Sequence, residues 1–89
     1  MDNEKLAKIR AKIDDVDQEI IGLLAKRTRL ARNLADVKDI KQLRDLKREQ
    51  EILEKVKYKA SVHDLNPKLI EIIYNLLFNN SVSEIKKQK

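Results

Sequence analysis

The chain has 89 residues, 39% charged, 42% hydrophobic and 3% aromatic, with one Gly, one Pro and neither Cys nor Trp. A single domain of that length buries roughly 60–65% of its unfolded surface, which excludes a large cavity inside one copy, and the lack of Cys beside one lone His63 excludes disulfides and argues against any metal centre. The net charge of +5 and pI of about 9.5 suit an anionic partner, with nucleic acid and small polyanions both open.

So little turn chemistry and so much Leu, Ala, Lys, Glu, Arg and Gln predict an all-α fold. From Leu6 the positions Leu6, Ile9, Ile13, Val16, Ile20, Leu23, Arg27, Leu30, Leu34 and Val37 step by three and four without a slip, and nine of the ten are apolar. This predicts one long helix over about 4–39, roughly 50 Å at 1.5 Å per residue. Gly22 lies off that seam and costs up to ~1 kcal/mol relative to Ala. After a break at Asp39 to Arg44, a second helix is predicted at about 45–61 through Leu46, Ile52, Leu53, Val56 and Ala60. Asn66-Pro67 reads as an N-cap followed by a first-turn proline, opening a third helix at about 67–86 through Leu69, Ile70, Ile73, Leu76, Leu77 and Ser81. Two helices of roughly 25–30 Å stacked side by side cannot cover a ~50 Å seam. The expectation is three helices per chain in an intertwined homodimer.

Polar residues interrupt these apolar stripes. Arg27 occupies a seam position between Leu23 and Leu30, where a buried guanidinium needs an anion unless it snorkels to an edge or pairs with an acid of helix two. Lys38, eleven residues later, returns to the same face. In helix two, intrahelical pairing accounts for Asp45 with Arg48, but Glu49 aligns with the apolar Leu46, Leu53 and Val56. Ser81 continues the stripe of Ile70, Ile73 and Leu77. Arg10 precedes Arg27 by seventeen residues, about 25 Å of helix, so one chain cannot bring both to one small ligand, whereas an antiparallel partner could.

These residues in this order resemble the all-helical, type II (AroQ-class) chorismate mutases over nearly the whole chain. The segments that carry the resemblance are Ile9-Arg10-Ala11-Lys12-Ile13-Asp14 with Val16-Asp17, Leu23-Leu24-Ala25-Lys26-Arg27, Val37-Lys38, Arg48-Glu49-Gln50-Glu51-Ile52-Leu53 and Asn80-Ser81-Val82. Each is ordinary alone; five in order and near-correct spacing are specific. The resemblance implies conversion of chorismate to prephenate on the way to phenylalanine and tyrosine, by a unimolecular rearrangement that needs no cofactor. It implies that Arg27, and Arg10 from the partner chain, hold the substrate carboxylates. By the same resemblance Lys38 donates to the ether oxygen and a carboxylate, Arg48 orients the set, Glu49 accepts from the ring hydroxyl, and Asp45 and Ser81 line the pocket. Catalysis would lie in restraining a flexible dicarboxylate and stabilising charge on the ether oxygen.

Two departures stand out. The connection from Lys38 to Asp45 is about two residues shorter than in familiar members. Ile85 occupies the position where the family has a Gln or Glu that donates to the ether oxygen, a loss worth ~10²–10³ in rate. Glu84 and Gln88 are the candidate substitutes; Glu84 would have to be protonated, so activity would rise as pH falls.

Alternatives are an isochorismate-pyruvate lyase on the same fold and a non-catalytic regulatory module, which Ile85 favours. Nucleic acid is not expected as a partner, because acids are interleaved with the bases and only Tyr58, Tyr74 and Phe78 could stack. No membrane partner is expected either. The longest uncharged stretch, Ile72 to Ser83, is short of the ~20 residues of a span, and Met1-Asp2-Asn3-Glu4 is unlike a signal peptide, so the expected location is cytoplasmic.

Overall fold

Asp2 starts the first helix. Its backbone is extended and its carboxylate accepts from the Lys5 N–H at 3.0 Å, satisfying a first-turn donor that has no partner within the helix. The computed structural model describes residues 2–37 and 44–88. Helix α1 (Asn3–Asn33) runs 31 residues, about 46 Å. A 3₁₀ turn over Leu34–Asp36 follows where the apolar period alone predicts more α-helix. There the Val37 N–H bonds the Leu34 carbonyl at 3.1 Å, and this tightening accompanies burial of Ala35 while Val37 stays 80% exposed.

Helix α2 (Leu46–Val62) is capped by Asp45, whose Oδ1 accepts from the Arg48 N–H at 3.0 Å. It closes in a Schellman turn: the Leu65 N–H reaches the Ala60 carbonyl at 2.7 Å and the Asp64 N–H the Ser61 carbonyl at 3.2 Å, with Asp64 left-handed at φ 58°. Asn66 Oδ1 then accepts from the Lys68 N–H at 3.0 Å, and helix α3 (Pro67–Gln88) begins with Pro67 in its first turn. The described residues contain these three helices and the 3₁₀ turn, and no strand. None of the helices is long and apolar enough to cross a membrane.

Helix α3 is the common neighbour. It runs back along α2, where Lys57 pairs with Glu71 at 3.7 Å, and its C-terminal half lies parallel to the end of α1. There Arg27 meets Leu77 and Ser81, Asn80 meets Thr28, and Arg32 meets Glu84. The buried apolar residues among those described are Ala31, Ala35, Ala60, Phe78 and Ile85. Ala31 and Ala35 stand one turn apart, and such small side chains allow close helix approach.

Most of the apolar seam of α1 is therefore left open within its own chain. From Leu6 to Leu23 its members are 38% to 66% exposed, and Leu30 and Leu34 stay exposed as well, because the alanine face beside them takes α3. The chain measures 57 × 26 × 14 Å, with a radius of gyration of 16.9 Å against about 12 Å for a compact domain of this length. A Cβ at Gly22 would meet nothing within 4 Å, so packing inside the chain does not account for that glycine.

Glu84 is buried and accepts from Arg32 Nε at 2.8 Å and Lys87 Nζ at 3.4 Å. The hydrogen bond from Arg32, aided by both positive charges and opposed by desolvation, holds its carboxyl below the usual 4.5. A folded-state pKa below the unfolded value means that the pair's contribution is complete above the ordinary carboxylate range and is lost as pH falls through the lower folded value. Thermal melts from about pH 6 to about pH 3 should therefore show a steeper acid loss in the wild-type chain than in Glu84→Gln; parallel curves would refute the assignment. Asp64→Gly should raise the unfolding free energy by about 1 kcal/mol in denaturant titrations, since it relieves a left-handed L-residue.

Candidate active site

A cleft of about 230 Å³ opens between the end of α1, the first half of α2 and the last half of α3. Its polar lining is Arg27, Asp45, Arg48, Glu49 and Ser81, and its apolar lining is Leu34, Ile52, Phe78, Val82 and Ile85. Each polar group arrives by a local rule. Arg27 is half-buried and donates from Nη1 to Ser81 Oγ at 2.7 Å and to the Leu77 carbonyl at 3.3 Å. Both partners are uncharged, so these two bonds bring no counter-charge to the guanidinium and leave Nη2 and Nε unused. The Ser81 hydroxyl in turn donates to the Leu77 carbonyl at 3.0 Å, which leaves it oriented to accept from Arg27.

Asp45 and Arg48 meet through the cap: the Asp45 carboxylate binds the Arg48 backbone N–H, and both side chains reach the cleft wall. Glu49, whose side chain is 17% exposed, is gripped by Arg44. Arg44 Nε lies 3.0 Å from Oε2 and Nη2 lies 3.0 Å from Oε1, while Nη1 donates to Asn79 Oδ1 on α3 at 3.0 Å. Arg44 is the residue that pattern reading missed. A separation of five is invisible to the three and four spacing of helix faces. The signal lay in the cap instead: with Asp45 as N-cap, Arg44 and Glu49 take the two positions that a hydrophobic staple joins, here bridged by charge.

Ile85 is 1% exposed, the most fully buried large side chain among the described residues, and forms part of the cleft's apolar floor. The two candidate substitutes for a donor there face elsewhere. Glu84 is turned to Arg32 and Lys87 with its carboxyl held toward the ionised, acceptor-only form, so the expected gain of activity at low pH through a protonated Glu84 has no support in this arrangement. Gln88 lines a separate groove with Lys26, Arg29, Arg32 and Asp36. Glu84 is turned about 60° from Ser81, toward Arg32, whereas Gln88, nearly in phase with Ser81, lies two turns or about 10 Å further along the axis. Arg10 is exposed on the part of α1 that projects away from α3. Lys38 lies outside the described residues, as does most of the connection to Asp45.

The described lining of the cleft holds two arginines and two carboxylates, one of which, Glu49, is already paired with Arg44. It can orient a polar ring and contact one anionic group through Arg27; a doubly charged ligand needs further cations. On its other side Arg27 also borders a second, largely apolar hollow with Leu30, Ala31, Asn33 and Leu34. The candidate site and the uncovered seam are thus contiguous.

The chorismate mutase type II family matches residues 9–86. The chain is 31% identical over 80 residues to the chorismate mutase of Methanocaldococcus jannaschii, covering 88% of this chain and 81% of that protein. It is 34% identical over 84 residues to the bifunctional chorismate mutase/prephenate dehydratase of Buchnera aphidicola subsp. Schizaphis graminum, and 37% identical over 84 residues to that of Buchnera aphidicola subsp. Baizongia pistaciae. Each of these matches covers 92% of this chain but 22% and 23% of the respective bifunctional proteins, so the chain spans under a quarter of their length. The five segments that carry the resemblance and this match over most of the sequence lead to one statement: the chain belongs to the chorismate mutase type II family.

Proposed function

We propose that the chain converts chorismate to prephenate in an intertwined homodimer whose two sites each borrow one arginine from the other copy. The observation that carries this reading is the convergence of Arg27, Arg48, Glu49, Asp45 and Ser81 on one small cleft with an apolar floor, beside a seam that its own chain leaves uncovered. Arg27 and Arg48, with Asp45 and Glu49 beside them, do not match a dicarboxylate until further cations are added. Lys38 supplies one, and Arg10 of the partner subunit supplies the other once a second α1 lies antiparallel along the seam.

In this scheme the charges restrain rather than attack. Arg27 and Arg10 of the partner subunit clamp the two carboxylates and hold the flexible enolpyruvyl arm over the ring, so that the carbons to be joined stay in contact. Arg48 orients the same groups, and Glu49 accepts from the ring hydroxyl. As the C–O bond lengthens, negative charge builds on the ether oxygen and Lys38 meets it. Phe78, Ile52 and Ile85 give the ring a dry, apolar bed. With Ile85 in place, nothing from that position donates to the ether oxygen opposite Lys38.

Mixing subunits tests the shared site. Arg10→Ala and Arg27→Ala chains should each lose at least about 10² in kcat/KM, and refolding them together in equal amounts should restore about a quarter of the wild-type sites, because each mixed dimer regains one intact pair. No recovery on mixing, with both variants folded, would rule out a site built from two chains. Separately, Ile85→Gln should raise kcat for chorismate disappearance by tenfold or more and lower stability by about 1–3 kcal/mol, since it places an amide in the most buried apolar position. A variant that is destabilised with no rate gain would mean that Ile85 does not stand beside the ether oxygen.

A further inference from the structure

We propose that Arg44 is a positioning residue for this reaction, an ionic staple that aims the Glu49 carboxylate at the substrate's ring hydroxyl; the role rests on the reading above. All three guanidinium nitrogens are engaged: Nε and Nη2 each bind one oxygen of Glu49 at 3.0 Å, and Nη1 binds Asn79 Oδ1 at 3.0 Å. The two bonds to Glu49 form a fork, which fixes the plane of the carboxylate as well as its distance. Each carboxylate oxygen retains acceptor capacity after one bond, so Glu49 can still accept a hydrogen bond from a hydroxyl on the cleft side.

The grip also ties three segments together. Arg44 sits just before the Asp45 cap, Glu49 is in the first turns of α2, and Asn79 lies on the outer part of α3, two residues before Ser81. Without Arg44, Glu49 keeps several rotamers at a helix start whose free N–H groups attract carboxylates, and the hydroxyl acceptor is no longer preorganised. A lysine cannot substitute, because one ammonium has neither the fork for both oxygens nor the third arm for Asn79.

Steady-state kinetics on the full chain test the proposal. Arg44→Met should lower kcat by about tenfold with KM moved by less than about threefold, since orientation matters more than uniform binding. Arg44→Lys should recover only part of that loss. In a Glu49→Gln background, Arg44→Met should cost less than about threefold more, because a residue that acts through Glu49 has little left to act on. Lys57→Met, which removes a different α2–α3 ion pair, should lower the melting temperature without changing kcat and so separates positioning from simple helix tethering. Wild-type kinetics in Arg44→Met or Arg44→Lys, or fully additive losses with Glu49→Gln, would overturn the role while leaving the mutase reading intact. Failure of the wild-type chain to consume chorismate would instead remove the function, and the role with it.

Discussion

A helix of about 46 Å carries an apolar seam from end to end, and the rest of the chain is too short to cover it. The hydrogen bonds between α3 and α1 fall at Arg27, Thr28 and Arg32, around the buried Ala31, and Arg27 is the seam position that takes part. Six large aliphatic residues from Leu6 to Leu23 are left 38% to 66% exposed. At about 25 cal/mol per Å² of apolar surface, withdrawing that row from water stabilises each chain on the order of several kcal/mol, comparable to the whole stability of a small domain. Among the described residues the buried apolar core, three alanines with Phe78 and Ile85, is correspondingly thin. The proposed dimer answers this constraint, and the placement of the site follows from it, because Arg27 borders both the seam and the cleft.

The site depends on helix ends as much as on helix faces. Asp45 is a cleft residue because it is a cap, Arg48 is fixed by the N–H that the cap binds, and Glu49 is held by the residue that precedes the cap. Helix α3 completes the set from the other side through Ser81 and Asn79, two residues apart, one on Arg27 and the other on Arg44. The two arginine anchors of the cleft are therefore tied to the same turn of α3. A shift of α3 would move both together, which links the stability of the helix packing to the geometry of the cleft.

Much of this was legible in the residues themselves. The helix type, the Asn66-Pro67 start of α3 and the anomaly of an arginine on an apolar seam follow from period, cap chemistry and desolvation cost. The two candidate donors were read differently from how they lie. Nearness to Ile85 made Glu84 attractive and the Ser81 stripe made Gln88 so, yet a rotation of 100° per residue hands Glu84 to Arg32, and the rise of two turns carries Gln88 past Ser81 into another groove. Arg44 was overlooked for the opposite reason, since its partner lies at a spacing that helix-face rules do not score.

What the sequence by itself determined is the inventory: three helices, an apolar seam too long for one copy, and charged residues at seam positions where each costs free energy unless it is matched. Those are properties of composition and period, which are local. What only the tertiary structure decided is which face of α1 meets α3, and which carboxylate each arginine holds. Ala31 and Ala35 admit α3 more closely than Leu30 and Leu34 would, so the small residues form the internal contact and the large ones remain for another surface. That choice sets close backbone approach against greater apolar area, and it is settled by side-chain size at the contact, which no single-helix pattern contains.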